Sequence, residues 1–317
     1  MQVHRTLESL PSFRKAVVTI GTFDGVHCGH RKIIRQLKDE AKACGGESVI
    51  ITFDPHPRKV LSPGTGSLHL LTTLEEKISL IGELEVDHLV VVPFTRSFSE
   101  MTASGYVTDF LVKRFHPYVV ILGYDHHFGH NREGNITLLS AMSAAHGFRV
   151  VEIPEQVVRH LTVSSTKIRD YLSVGDVKLA ADLLGYPYFV SGQVIHGEAR
   201  GRVLGFPTAN LSFDYREKLV PAEGVYAATA RLPAGDGIST IVYPAAVNIG
   251  RLPTFGGRTL RLEAHLLDFD QDIYDKEIRI SFIEYLREDM KFDAVADLVS
   301  RIEQDVQTVR DLLARHT

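Results

Sequence analysis

The hydrophobic pattern of this chain changes character once, near Gly185-Tyr186-Pro187, and that change sets what it can fold into. Upstream, five short runs are nearly all apolar and rich in Val and Ile: Ala16 to Ile20, Ser48 to Phe53, His88 to Val92, Tyr118 to Leu122 and Arg149 to Ile153. Strands that are apolar throughout are buried on both faces, which is the mark of a parallel sheet. Helical patterns separate them. Arg31 to Cys44 carries Ile33, Ile34, Leu37, Ala41 and Cys44 along one face, and Thr72 to Leu84 opens with Thr73 three residues before Glu76, a capping-box spacing. Such alternation predicts a doubly wound α/β domain with a parallel sheet over residues 1–185.

Two short helical runs, Ser165 to Val174 and Val177 to Leu184, end at the boundary on a glycine and then a proline. Beyond it, strand-like segments are separated by Gly, Pro and Asn: Phe189 to Ile195, Gly224 to Leu232, Thr240 to Ile249, Leu260 to Phe269 and Glu277 to Tyr285. No helical pattern divides them, so residues 186–317 read as a small antiparallel β-barrel domain. The apolar stripe Phe292, Val295, Val299, Ile302, Val306, Val309 and Leu313 predicts a C-terminal helix packed on the barrel; it is too short for a coiled coil.

With 317 residues, 44% hydrophobic and 23% charged, there is core enough for two domains. Two cysteines, Cys28 and Cys44, build no disulfide framework and suit a reducing cytoplasmic compartment. The first fifteen residues lack the apolar core of a leader, and no stretch approaches the ~18 apolar residues that span a bilayer, so no membrane partner is expected. The net charge of −4 supplies no basic field for nucleic acid. Small-molecule partners are expected, with anions held by local donors; the oligomeric state stays open.

Neither GxxxxGK[ST] nor GxGxxG occurs. Instead, the first apolar strand runs into GTFDGVHCGH (Gly21 to His30) and then a helix. A glycine-bearing turn there binds phosphates, because free N–H groups and the helix dipole point at it. Gly21 and Gly25 permit close backbone approach. His27 and His30, three apart, can face one ligand and donate to phosphate oxygens. With Cys28 between them they are also a possible metal pair, or simply structural.

GTFDGVHCGH resembles the HxGH signature of nucleotidylyltransferases, in the form found in bacterial bifunctional riboflavin kinase/FMN adenylyltransferases. Three further segments, in the same order, resemble that family: TFDPHP (Thr52 to Pro57), ILGYDHHFG (Ile121 to Gly129) and SSTKIR (Ser164 to Arg169). The resemblance implies a Rossmann-like nucleotidylyltransferase fold for the first domain. It implies ATP contacts from Gly21, Phe23, Asp24, Gly25, Ser164, Ser165, Thr166 and Arg169, and flavin contacts from Phe53, Pro55, Pro57 and Asp125. His27 and His30 become catalytic, and an FMN phosphate oxygen attacks the α-phosphorus of ATP with loss of pyrophosphate. Asp24 is expected to orient the loop or fix a histidine tautomer. His126, His127 and His130 are assigned only loosely to nucleotide or flavin contact. By itself, SST at a helix start is also a plain cap.

In the second domain, GRVLGFPTAN (Gly201 to Asn210) offers a flexible glycine turn and the hard oxygens of Thr208 and Asn210. FPTAN alone reads rather as a Pro-bearing loop between strands. It resembles the flavokinase signature, which implies that Gly201, Gly205, Pro207, Thr208 and Asn210 bind ATP and that Thr208 and Asn210 hold Mg²⁺. PAEGVYA (Pro221 to Ala227), LEAHLLDF (Leu262 to Phe269) and LREDMKF (Leu286 to Phe292) also fit. Glu263, a carboxylate among apolar neighbours, is implied as the base for the ribityl 5′-hydroxyl, and Arg287 as a flavin contact. The chain departs from the family at NIGRLPTF, where Leu252 rather than Arg precedes Pro253 and Arg251 is displaced by one. Riboflavin, FMN and FAD are thus the expected substrates and products. Rival readings are an HxGH enzyme for a pantetheine or pyridine mononucleotide acceptor, a flavin-sensing barrel without catalysis, and a scaffold.

Overall fold

The computed structural model describes residues 1–62, 68–123, 126–153, 163–197, 200–214, 217–233, 240–254 and 257–314. They form two compact units, Met1–Ser165 and Thr166–Thr317.

The first unit is built on six parallel strands: β1 (Gln2–His4), β2 (Val17–Ile20), β3 (Ser48–Asp54), β4 (His88–Pro93), β5 (Val119–Gly123) and β6 (Arg149–Ile153), in spatial order β1-β4-β3-β2-β5-β6. All five expected strands are present, and every residue of β2 is buried. β1 was not foreseen; three residues without an apolar run carry too little pattern. Because β2 pairs with β3 on one side and β5 on the other, the chain reverses its winding there. The mouth of such a switch point is where ligands of open α/β sheets bind.

Helix α1 (Cys28–Cys44) leaves that mouth and buries Ile34, Leu37 and Ala41, the face expected from its spacing. Helix α2 (Leu74–Gly82) has both halves of the predicted capping box between Thr73 and Glu76. Between β4 and β5 lies a helical run, residues 103–115, whose middle turns are π-wound. It buries Tyr106, Phe110 and Phe115 in an aromatic core with Phe13 and Phe128.

In the second unit, strands β7 (Phe189–Ile195), β8 (Ala209–Ser212), β9 (Gly224–Pro233), β10 (Thr240–Thr254), β11 (Gly257–Leu266) and β12 (Glu277–Arg287) close an antiparallel barrel in the order β10-β11-β8-β7-β12-β9. The short β8 was hidden inside the GFPTAN loop reading. The terminal helix, Val295–Ala314, packs on the barrel through Val306, Val309, Leu312 and Leu313 against Ala227, Ala246 and Leu267.

Two helices that the sequence pattern groups with the first domain pack with the second unit instead: Ser165–Ser173, all but its first residue, and Val177–Leu184. They bury Ile168, Leu172, Val177, Ala180 and Leu184. The Ala222 N–H donates to the Leu172 carbonyl at 3.0 Å, and Lys178 pairs with Glu284 of β12 at 2.8 Å.

Candidate active sites

The loop from β2 into α1 is wound tightly. Gly25 has φ +80°, a left-handed conformation that suits glycine, and Phe23 (φ 48°) and Val26 (φ 36°) adopt it without that freedom. Asp24 stabilises the turn: its buried carboxylate accepts from the backbone N–H of Leu71 at 2.9 Å and of Thr72 at 3.2 Å. The Thr72 hydroxyl accepts from Gly25 N–H at 3.2 Å. These bonds tie the loop to the segment that leads into α2.

His27 is the N-cap of α1, a position usually held by Ser, Thr, Asp or Asn. Its Nδ1 accepts from the His30 N–H at 3.4 Å, so in the neutral ring the proton sits on Nε2. The two imidazoles stack with centroids 3.6 Å apart and planes 15° apart. His30 is held well below the usual histidine pKa, first by burial, then by His27 and Lys77. Its Nδ1 is sealed from solvent without a hydrogen-bond partner. Protonation there would bury an unmatched N–H, so this ring too is a neutral Nε2–H donor. Stacked rings do not converge on one point, and among the described residues no cluster of three or more His, Cys, Asp or Glu could hold a metal.

Ser165, first residue of its helix, donates its hydroxyl to the Asp24 carbonyl at 3.1 Å, which ties it to the loop. Thr166 and Arg169 follow on that helix, and Ser164 precedes it. Phe53, the last residue but one of β3, lies edge-on to Phe94 at 5.5 Å; Pro55 and Pro57 follow, Pro57 opening a short helix. Asp125 lies outside the described residues.

Sequence reasoning missed Lys77. This residue of α2 is 6% exposed, and its ammonium donates to Thr52 Oγ1 at 3.4 Å. In a run reading EEKISL, nothing separates it from a solvated lysine.

In the barrel, Gly205 turns the GRVLGFPTAN loop with φ +88°, and the Phe206 N–H donates back to the Gly201 carbonyl at 2.8 Å. Pro207 and Thr208 then lead into β8. Register makes the rest legible: Glu263 lies opposite Asn210 on one side and Asn248 on the other, Asn248 opposite Val225, and Val225 opposite Arg287. Directly opposed residues share a face, so Asn210, Glu263, Asn248, Val225 and Arg287 form one row across the strands. Asn248 Oδ1 is sealed and unpartnered, a second residue the motifs did not single out.

Glu263 is not deeply buried: a quarter of its side chain is exposed, and it pairs with Arg261 Nη1 at 2.9 Å. Its face is the outer one, alternating with the interior Leu262 and Ala264. Arg287 spends its guanidinium inside the protein, on Asp305 of the terminal helix. The displaced Arg251 pairs with Glu223 at 2.8 Å.

A family model for FAD synthetase matches residues 10–167, and one for riboflavin kinase matches residues 184–313. A bifunctional riboflavin kinase/FMN adenylyltransferase of Listeria monocytogenes is 37% identical over 300 residues, 94% of this chain and 93% of that one. The chain belongs to the bifunctional riboflavin kinase/FMN adenylyltransferase family. The Haemophilus influenzae member is 36% identical, with 92% of each chain covered. A solved Streptococcus pneumoniae structure described as a macrolide-efflux protein superposes with a TM-score of 0.85 at 28% identity, covering 98% of each chain. Among the described residues no helix is long and apolar enough to cross a membrane. As a family member, the chain phosphorylates riboflavin in its C-terminal flavokinase half and adenylylates FMN in its N-terminal half.

Proposed function

We propose that both half-reactions use ATP, each on its own set of residues, in the cytoplasm and with small molecules as the partners. In the first, His27 and His30 donate through Nε2–H to phosphate oxygens while an FMN phosphate oxygen attacks the α-phosphorus of ATP. The new bond is the FAD pyrophosphate linkage, and inorganic pyrophosphate leaves. Both partners are phosphates, so positioning and charge stabilisation do the work. Gly21, Phe23, Asp24 and Gly25 shape the loop; Ser164, Ser165, Thr166 and Arg169 hold nucleotide phosphates; Phe53, Pro55, Pro57 and Asp125 flank the flavin.

In the second, Glu263 accepts the proton of the ribityl 5′-hydroxyl as its oxygen attacks the γ-phosphorus, and ADP leaves. Gly201, Gly205 and Pro207 line the nucleotide, and Arg287 stands beside the flavin end of the row. Mg²⁺ would be held by Thr208 and Asn210, where it neutralises phosphate charge. The fit rests on Asn210 and Asn248, whose amide oxygens flank Glu263 in one row, the Asn248 Oδ1 being sealed and unpartnered.

The observation that supports this assignment is that each unit carries its own polar constellation: stacked imidazoles at a helix start in one, an amide–carboxylate–amide row in the other. Incubation with riboflavin, ATP and Mg²⁺, read by chromatography, should yield FMN and then FAD, and excess chelator should stop FMN formation. Parental FMN formation under chelation would remove the Mg²⁺ assignment.

A further inference from the structure

We infer that Lys77 is a positioning residue of the adenylyltransferase site: its ammonium braces the phosphate loop from beneath and sets a fixed positive charge behind the His27–His30 pair. The inference rests on the reading of those histidines as phosphate donors.

Three observations converge on it. Lys77 is nearly sealed from solvent, and lysine is almost never so without a reason. The Nζ reaches Thr52 Oγ1, whose own hydroxyl donates to the Thr22 carbonyl at 3.2 Å, so a chain of contacts runs from the helix into the loop. Asp24 and Asp54 face it electrostatically and hold its charge against the burial that lowers its pKa. On the far side, His30 faces Lys77 and His27.

The consequence for His30 follows from its two nitrogens. Nδ1 is sealed and unpartnered, so the single proton of the neutral ring sits on Nε2. A cation behind the ring disfavours a second proton, so the imidazole stays a neutral donor with Nε2–H outward. An arriving phosphate then meets donors and a buried cation together, which suits charge growing on phosphate oxygens. An arginine would retain the charge but not the compact ammonium.

The test compares Lys77→Gln and Lys77→Arg in the full-length protein, with His30→Ala as reference. Lys77→Gln should lower the turnover of FAD formation by about 10–100-fold, the range typical when a residue supporting an active-site group is lost. Riboflavin phosphorylation in the same sample should be unchanged. The His30 ring resonance should titrate at higher pH in Lys77→Gln than in the parent, and the acidic limb of the FAD-formation profile should move up with it. Lys77→Arg should keep the parental His30 titration. FAD formation by Lys77→Gln within about twofold of the parent, with His30 titrating as before, would overturn the inference, as would Lys77→Arg shifting His30 as far as Lys77→Gln does. If Lys77→Gln fails to fold, Lys77→Met takes its place and is read against the same outcomes. FAD synthesis surviving in His30→Ala would sink the donor reading itself, whereas the His30 titration tests Lys77 regardless of that outcome.

Discussion

Asp305, on the terminal helix, holds Arg287, at the end of β12, through three hydrogen bonds of 2.6, 2.9 and 3.2 Å, with the two side chains only 6% and 13% exposed. The fourth bond of Arg287 goes from Nη1 to the Glu288 carbonyl at 2.9 Å, and Arg301 also approaches Asp305 at 3.4 Å. The helix is thereby fastened to the residue that ends the polar row proposed as the kinase site. Removing one member of a buried pair leaves the other uncompensated, at a cost of about 3–5 kcal/mol. Asp305→Ala should therefore lower the unfolding free energy of the barrel unit by that order in denaturant titration. Arg287→Met with Asp305→Leu should cost much less. A double variant as unstable as Asp305→Ala would contradict the pair as the cause.

In the first unit, His27 has two separable jobs: it caps α1 through Nδ1 and presents Nε2–H. His27→Ala should lose both, with about 1 kcal/mol of stability from the cap and a fall in FAD formation of about 10²–10³ for a lost donor. His27→Asn keeps a capping oxygen for the His30 N–H and should recover stability without recovering activity. Riboflavin phosphorylation should persist in both. Equal loss of the two activities in a folded variant would show that the histidines are not specific to adenylylation.

How much of this was legible in the sequence follows burial symmetry. β2 to β5 announced themselves because strands buried on both faces must be apolar throughout, whereas β1 is three residues at an edge and β8 is short and interrupted by motif residues. The stripe of the terminal helix gave its packing, but Asp305 sits among charged residues that look solvated until the helix is docked. Lys77 and Asn248 were unreadable for the same reason: a buried polar residue has no local signature, since what buries it comes from elsewhere in the chain. The two helices before Gly185 follow the α/β alternation in sequence, yet from Thr166 on they group with the barrel unit, which sequence order does not reveal.

Glu263→Gln preserves shape and removes the proposed base, so FMN formation should fall by roughly 10²–10⁴. Loss of charge also removes the ion pair with Arg261 at 2.9 Å. Arg261→Gln is the control: it should leave most of the kinase rate, because this pair is part-exposed and weak. FAD formation from supplied FMN should persist throughout. A kinase rate within a few-fold of the parent in Glu263→Gln would mean that the proton leaves by another route.

Acid should loosen the edge of the parallel sheet. His4 Nε2 lies 3.1 Å from His88 Nδ1, joining β1 to β4, and His88 Nε2 lies 3.6 Å from Glu47. The pKa of His4 is lowered, first by burial and then by His88. A lowered folded-state pKa means that the unfolded strand binds the proton more tightly, so this contribution is fully present above the unfolded value of about 6.5 and is lost as pH falls through the folded one. Hydrogen exchange at the amides of β1 should accelerate between pH 7 and pH 5 in the parent. His4→Gln should flatten that dependence, and an unchanged slope would exclude His4 as its source.

The two activities should be separable by cutting the chain between the two units. The sequence pattern suggests Tyr186, but the packing favours a start at Thr166. A fragment of residues 186–317 would lose the helices that bury Ile168, Leu172, Val177, Ala180 and Leu184, together with the Ala222–Leu172 hydrogen bond and the Lys178–Glu284 pair. Gly175, with φ +81°, sits so that an added Cβ would meet the Tyr285 ring at 3.0 Å and the Tyr226 hydroxyl at 3.3 Å, so this connection is fitted to the barrel surface. Each large apolar side chain re-exposed costs about 1.5–3 kcal/mol, and several together approach the whole stability of a small domain. Residues 166–317 should therefore give a cooperative thermal transition and convert riboflavin to FMN without making FAD. Residues 186–317 should melt lower or not fold, with kinase turnover lost in proportion. If the shorter fragment matches the longer in both melting and turnover, the two helices are passengers and the boundary belongs at Gly185. If the longer fragment folds yet turns over no riboflavin, residues of the first unit complete the kinase site, and the assignment of one constellation to each unit fails.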